Sequence, residues 1–119
     1  MLDEIQTGLG RTGQMFCHNY SRVNPDIILI GKALSGGLFP ISMEIGRREL
    51  ISLWKPGHDG STFAGNSIAC AVGLETLDII RDENLCAKST VMGEYFLSEL
   101  KKIENILIKD VRGIGLFIG

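Results

Sequence analysis

The chain has 119 residues, of which 45% are hydrophobic and 22% charged, an ordinary balance for a soluble globular protein. Its net charge of -2 gives no support for broad electrostatic binding to nucleic acid or to an anionic membrane. No apolar run approaches the roughly 20 residues that span a bilayer, and Asp3 and Glu4 interrupt the start too early for a signal peptide. Three widely spaced cysteines indicate reduced thiols in a cytoplasmic setting: Cys17, Cys70 and Cys86.

The first half of the chain predicts short strands separated by turns. Residues 1–5 have the pattern of the end of a strand, and a glycine-rich turn follows over 7–13. Residues 27–30 form a short, β-branched apolar run bounded by turn residues, which predicts a strand buried on both faces, as in a parallel sheet. A further strand is expected over 40–46, followed by one or two helical turns over 47–54.

The second half predicts two helices. Asn66 or Ser67 can cap a helix that runs to about Arg81, and residues 68–74 within it are apolar on every side, which is typical of a buried helix. The second helix is expected over 85–102. Its apolar stripe has helical spacing and consists of Met92, Phe96, Leu100 and Ile103.

Two more strands are expected near the carboxyl terminus, over 106–108 and 116–118. Strands that alternate with helices give an α/β fold, in which ligands bind at the carboxyl ends of the strands. The strand patterns at residues 1–5 and 115–119 are both cut short, so we expect the chain to be an excerpt of a larger fold.

Two glycine patterns suggest phosphate binding, but neither is complete. Gly8, Gly10 and Gly13 have the spacing of a dinucleotide-binding fingerprint, yet a short polar stretch follows where a long helix is required. Gly31-Lys32 lacks the magnesium-binding Ser or Thr of a nucleotide P-loop, because Ala33 stands there. A dinucleotide-binding module is therefore a weak alternative.

Metal and hydrolytic sites are not predicted. His18 and His58 lie far apart, and neither has a partner His, Cys or carboxylate at the spacing of metal ligands in a helix. The G-x-S-x-G turn of a serine hydrolase is absent from the sequence.

Lys32 follows the buried run 27–30 almost directly, and two interpretations of it are open. The side chain can extend past the strand and keep its ammonium group in water. Alternatively, desolvation lowers its pKa, so that the neutral amine can attack an aldehyde and form a Schiff base. In the second case Asp3, also at a strand end, can pair with a pyridine nitrogen and keep it protonated.

Three blocks of sequence carry a family pattern: Asp3-Glu4-Ile5-Gln6-Thr7-Gly8-Leu9-Gly10-Arg11-Thr12-Gly13, the run from Pro25 to Gly37 around Gly31-Lys32-Ala33, and Gly60-Ser61-Thr62-Phe63-Ala64-Gly65-Asn66. They resemble the class III pyridoxal-phosphate-dependent aminotransferases. Their order and separations agree with the family, and the resemblance continues through 111–116. Within the family, the sequence over residues 32–42 and 55–57 is most similar to that of ornithine aminotransferases. Acetylornithine and 4-aminobutyrate aminotransferases are close relatives.

The resemblance implies a role for five residues. Lys32 would be the catalytic Schiff-base lysine that also carries the proton between substrate and cofactor. Asp3 would pair with the pyridine nitrogen of pyridoxal 5'-phosphate, and Gln6 with its phenolic oxygen. Thr62, with Ser61, would contact the phosphate from the neighbouring subunit, which implies a homodimer.

The resemblance also implies a division of the chain. Residues 1–82 would be the carboxyl-terminal part of the cofactor-binding large domain of a fold-type-I transferase, 83–105 a linking helix, and 106–119 the beginning of the small domain. The phosphate cup, the ring-stacking aromatic and the substrate-carboxylate arginine would lie outside the chain, and Arg112 matches a structural turn instead.

The implied reaction moves an amino group from ornithine, or a similar donor, to a 2-oxo acid such as 2-oxoglutarate. A different possibility for this chain is a truncated and catalytically inactive fragment.

Overall fold

The main sheet has three strands, which lie side by side in the order in which the chain forms them. The structure is a computed structural model that describes residues 1–58 and 60–119. Strand β1 (Leu2–Asp3) is parallel to β2 (Ile27–Ile30), and β3 (Met43–Gly46) is antiparallel to β2. Because β1 and β2 are parallel, their carboxyl ends lie at the same edge of the sheet.

Strand β2 has the bounds that the sequence predicts, and it is the central strand of this sheet. Its last residue, Ile30, is buried in a core cluster with Leu9, Leu34 and Ile80. The other three residues of β2 are only half-buried, and the neighbour β3 is antiparallel. The expected strand with both faces buried in a parallel sheet is therefore only partly realised in the described chain.

Three helices follow the sheet: α1 (Arg48–Ile51), α2 (Ser67–Asp82) and α3 (Leu85–Leu100). The predictions of all three are confirmed, with ends that differ by at most three residues. Within the described ranges, no helix is both long and apolar enough to cross a membrane.

Helix α2 begins at the residue that the sequence indicates. The Oδ1 atom of Asn66 accepts hydrogen bonds from the backbone N–H groups of Ile68 (3.0 Å) and Ala69 (3.1 Å). These two donors have no partner within the helix itself, so a side-chain acceptor stabilises the first turn.

We expect Asn66→Ala to lower the free energy of unfolding by about 1 kcal/mol, because the two N–H groups lose their acceptor. Asn66→Asp keeps an acceptor at the same place and should remain within about 0.5 kcal/mol of the parent protein. Urea titration followed by circular dichroism measures both. Equal losses for the two variants would contradict the capping role.

The apolar faces of α2 and α3 are more exposed than the sequence predicts. Ile68 and Leu74 on α2, and Met92 and Phe96 on α3, are all exposed. The side of α3 that is covered instead carries two small residues, Ser89 and Gly93. The expected burial of residues 68–74 on every side is therefore only partly realised, because Ala69 and Gly73 are buried while Ile68 and Leu74 are not.

The carboxyl-terminal segment forms a hairpin of β4 (Gly113–Ile114) and β5 (Phe117–Ile118). Two backbone hydrogen bonds between Arg112 and Gly119, of 2.8 and 2.9 Å, close it. The expected strand over 106–108 is wrong, because this stretch is a turn without a neighbouring strand in the described chain. The expected strand over 116–118 is confirmed in its last two residues.

Candidate active site at the edge of the parallel strands

Asp3 and Lys32 lie at the carboxyl ends of two neighbouring strands. Asp3 is the last residue of β1 and lies opposite Leu29 of β2, while Lys32 comes two residues after the end of β2. The N–H of Glu4 donates to the carbonyl oxygen of Leu29 (2.9 Å), which continues the ladder past Asp3. The parallel pairing therefore brings the acid and the amine to the same edge of the sheet, where an α/β fold binds ligands.

The backbone of Lys32 is strained. Its φ angle is +44°, in the left-handed region that side-chain-bearing residues seldom adopt. The turn Lys32–Ser35 is held by Leu34, which is fully buried and whose N–H donates to the carbonyl oxygen of Gly31 (3.1 Å). Such a conformation costs about 1–2 kcal/mol and persists only where the surroundings impose it, which is typical of functional sites.

Lys32 and Gln6 line one cleft of about 720 Å³. The glycine-rich turn forms one wall, through Gly8, Leu9 and Gly10, while the start of α3 and the hairpin form the others. The charged side chains along this cleft are all cationic: Arg11, Lys32 and Lys88. The cleft is therefore suited to an anionic ligand.

Lys32 is exposed, so the predicted desolvation of its amine is not seen in the described chain. In the turn of residues 32–35 the buried side chain is that of Leu34, while Lys32 and Ala33 line the cleft and are exposed. Asp3 is also exposed, and its Oδ1 accepts a hydrogen bond from the N–H of Ile5 (2.9 Å).

Ser61 and Thr62 lie apart from this cleft, in the loop before α2. The Ser61 hydroxyl oxygen accepts a hydrogen bond from the N–H of Phe63 (3.3 Å), and its carbonyl oxygen accepts one from Ala64 (3.1 Å). Of the five predicted site residues, the structure thus brings Gln6 and Lys32 to one cleft and Asp3 to the same sheet edge. It does not bring Ser61 and Thr62 to them within this chain.

Glu4 is a further polar residue of this edge, and the sequence patterns did not indicate its importance. Its side chain is 3% exposed. Oε1 accepts hydrogen bonds from the N–H of His18 (2.8 Å) and lies 3.0 Å from the Nδ1 atom of its ring, while Oε2 accepts from the N–H of Cys17 (3.1 Å) and from the hydroxyl of Thr7. No motif in the sequence marks Glu4, because two of its partners, Cys17 and His18, are 13 and 14 residues away.

These contacts set the ionisation of Glu4. Burial alone would raise the pKa of this carboxyl, but the hydrogen bonds from Thr7, His18 and Cys17 stabilise the anion and bring the pKa below its ordinary value. A lowered pKa means that the folded state gains stability above the ordinary pKa of a glutamate. That contribution is lost as the pH falls through the lowered value.

The glycine-rich turn is not the start of a dinucleotide-binding helix. A turn and the short 3-10 segment Cys17–Tyr20 follow Gly13. The glycines instead permit close packing, since a Cβ on Gly13 would lie 2.3 Å from the hydroxyl oxygen of Thr90. The carbonyl oxygen of Arg11 also accepts hydrogen bonds from the Ser89 hydroxyl (2.9 Å) and from the N–H of Leu116 (2.9 Å). The turn is thereby fixed to α3 and to the hairpin.

The chain is similar in sequence to proteins named as aminotransferases. The class-III aminotransferase family model matches residues 1–119. The ornithine aminotransferase of Bacillus subtilis strain 168 is 52% identical over 117 residues, a match that covers 98% of this chain and 29% of that protein. The ornithine aminotransferase of Staphylococcus epidermidis is 53% identical over 117 residues, with 98% and 30% covered.

Solved structures agree. The ornithine aminotransferase of Toxoplasma gondii, described with PLP partially occupying its active site, superimposes with a TM-score of 0.93 at 44% identity and covers 98% of this chain and 28% of its own. The acetylornithine aminotransferase of Elizabethkingia anophelis gives 0.90 at 43% identity, with 97% and 29% covered.

The α/β fold is therefore that of part of an aminotransferase. The chain belongs to the class III aminotransferase family. It spans just under a third of the length of the curated relatives that it matches, 29% and 30% in these two cases.

Proposed function

We propose that this chain is the lysine-bearing part of a pyridoxal-phosphate-dependent aminotransferase. The observation that carries the proposal is the joint placement of Lys32 and Gln6 at one cleft, with Asp3 on the adjacent strand at the same sheet edge. A primary amine, a carboxylate and an amide are the donor and acceptor types that this cofactor's aldehyde, ring nitrogen and phenolic oxygen require. The names of the relatives and the structural neighbours support the same class of enzyme.

Each of the three residues has a separate task. Lys32 would bind the cofactor covalently through Nζ and would then accept and return a proton at that same atom during the reaction. Asp3 would hold a proton on the ring nitrogen, and Gln6 would orient the phenolic oxygen through a hydrogen bond. The bound cofactor supplies an electron-accepting ring.

The amino donor would be ornithine or a similar amine, and the acceptor a 2-oxo acid such as 2-oxoglutarate. Ornithine aminotransferases among the relatives support this choice, and the acetylornithine aminotransferase among the structural neighbours gives the nearest alternative donor. A cleft whose charged side chains are cations is compatible with an anionic acceptor.

Ser61 and Thr62 fit this function only in a homodimer. Both side chains are exposed in a loop away from the chain's own cleft, so they are available to a cofactor phosphate held by a second copy. The corresponding division of the chain would place residues 1–82 in the large domain, 83–105 in a linking helix and 106–119 in the small domain. The three free cysteines support a cytoplasmic setting.

Chemical trapping tests the proposal. When the full-length protein that contains this chain is loaded with pyridoxal phosphate and treated with borohydride, we expect one stable adduct, on the peptide that contains Lys32. Digestion and mass spectrometry locate it. An adduct on Lys55 or Lys88, or none at all, would contradict the assignment.

A further inference from the structure

Glu4 is the single buried charged side chain among residues 1–58 and 60–119. It lies between Asp3 and Gln6, the two residues to which the proposed function assigns the cofactor ring. Asp3 and Glu4 are consecutive residues at the end of a strand, so their side chains point to opposite sides: Asp3 is exposed and Glu4 is buried.

Glu4 holds the turn around Gln6 from two directions. Its carbonyl oxygen accepts a hydrogen bond from the N–H of Gly8 (2.8 Å), which closes the turn over residues 4–8. Its carboxylate binds the hydroxyl of Thr7 within that turn, and the main chain of Cys17 and His18 outside it. Gln6 lies in the middle of the turn, so its backbone position is set by both groups of contacts.

The groups around the Glu4 carboxylate are hydrogen-bond donors. Two backbone N–H groups and one hydroxyl donate to it, and an ionised carboxylate can accept all three hydrogen bonds at once. The His18 ring, which stacks on Phe16 with centroids 5.5 Å apart, presents Nδ1 as a further partner. An amide in place of the carboxylate would bring an NH₂ group against these donors.

We propose that Glu4 is a positioning residue: by fixing the turn over residues 4–8, it sets the place from which Gln6 contacts the cofactor ring. The inference rests on the proposed function, because it assumes that Gln6 contacts the ring. Glu4 itself is buried, and it is not among the described residues that line the cleft. It therefore acts through its neighbours.

The test compares Glu4→Gln and Glu4→Asp in the full-length holoenzyme, with Glu94→Gln as the matched control. Glu94 is an exposed acid of α3 that does not line the cleft. For Glu4→Gln we expect the Lys32 adduct to persist, the pH midpoint of the cofactor's absorbance change to shift, and kcat to fall about tenfold, the effect of losing one charge-assisted hydrogen bond. The KM for the 2-oxo acid should change less than twofold.

Glu4→Asp keeps the charge on a shorter side chain. Its kcat and its spectral midpoint should therefore lie between those of Glu4→Gln and those of the parent enzyme. The control should match the parent protein in both. A Glu4→Gln enzyme with a lower melting temperature but an unchanged spectral midpoint and kcat would overturn the positioning role. Absence of the Lys32 adduct in the parent enzyme would instead overturn the proposed function.

Thr7→Val provides a milder variant if Glu4→Gln does not fold. It removes one donor to the carboxylate and leaves the main-chain contacts of Cys17 and His18 in place. We expect a spectral shift in the same direction as for Glu4→Asp, and smaller than for Glu4→Gln. A midpoint identical to that of the parent enzyme would count against the proposal.

Discussion

Replacement of Lys32 by alanine should lower kcat/KM of the full-length enzyme by roughly a thousandfold or more, because it removes both the covalent attachment and the proton carrier. Lys32→Arg should be equally inactive, since a guanidinium does not lose its proton at neutral pH and cannot form the bond. Amino transfer to a 2-oxo acid, measured at saturating cofactor, provides the readout. Lys55→Ala is the matched control: it removes an exposed lysine away from the cleft and should leave kcat/KM within about twofold.

Position 32 should also show that the residue needed for activity is not the one that gives the folded protein its highest stability. Lys32 has a φ of +44°, which glycine adopts without strain. Lys32→Gly should therefore be inactive but more stable than Lys32→Ala by about 1 kcal/mol, in urea titrations of the cofactor-free protein. Equal stability of the two variants would indicate that the backbone is not strained there. Retained activity in any Lys32 variant would refute the catalytic assignment.

The largest effect on folding is expected at Gly93, where α3 meets the hairpin turn. A Cβ on Gly93 would lie 2.0 Å from the carbonyl oxygen of Gly115 and 2.2 Å from its carbonyl carbon, so the two backbones would have to separate. Gly115 is itself close to another backbone segment on its other side, since a Cβ there would lie 2.5 Å from the carbonyl carbon of Thr12. We expect Gly93→Ala to destabilise the protein by about 3 kcal/mol, even though alanine favours the helix by about 1 kcal/mol.

Gly73 in α2 is the matched control. It is also a buried helical glycine, but the nearest atom to a Cβ there is the Cδ1 of Leu34 at 3.6 Å, an ordinary contact. Gly73→Ala should therefore be neutral or more stable by up to about 1 kcal/mol. Chemical denaturation of the two full-length variants separates a specific close approach from a general sensitivity of helical glycines. Similar losses at both positions would refute the packing explanation.

Local sequence patterns predicted the positions of the helices and strands better than they predicted which residues are buried. The run 27–30, the Asn66 cap and both long helices were predictable because propensity, capping and turn residues act over a few neighbouring positions. Which residues of α2 and α3 are buried was not predictable, because burial depends on what packs against each face of a helix. The strand over 106–108 failed for a similar reason: an apolar run becomes a strand only beside a partner.

The candidate site shows the same division. Lys32 and Asp3 could be selected because both lie where a strand pattern ends, and the family resemblance assigned their roles. Glu4 was not selected, since its partners Cys17 and His18 are 13 and 14 residues away and the sequence gives no sign of that contact. Residues that contact a ligand can be recognised from a sequence motif. A residue that positions those residues is recognised only from its contacts in the structure.

The pairing of β1 with β2 also constrains how this region can change in length. Asp3 and Lys32 are aligned only through the register that sets Leu2 opposite Ile28 and Asp3 opposite Leu29. A slip of one residue would move the acid by about 3.3 Å and turn it to the other face of the sheet. Insertions or deletions within either strand should therefore be tolerated far less than substitutions, while the surface loop around residues 55–58 should accept additional residues.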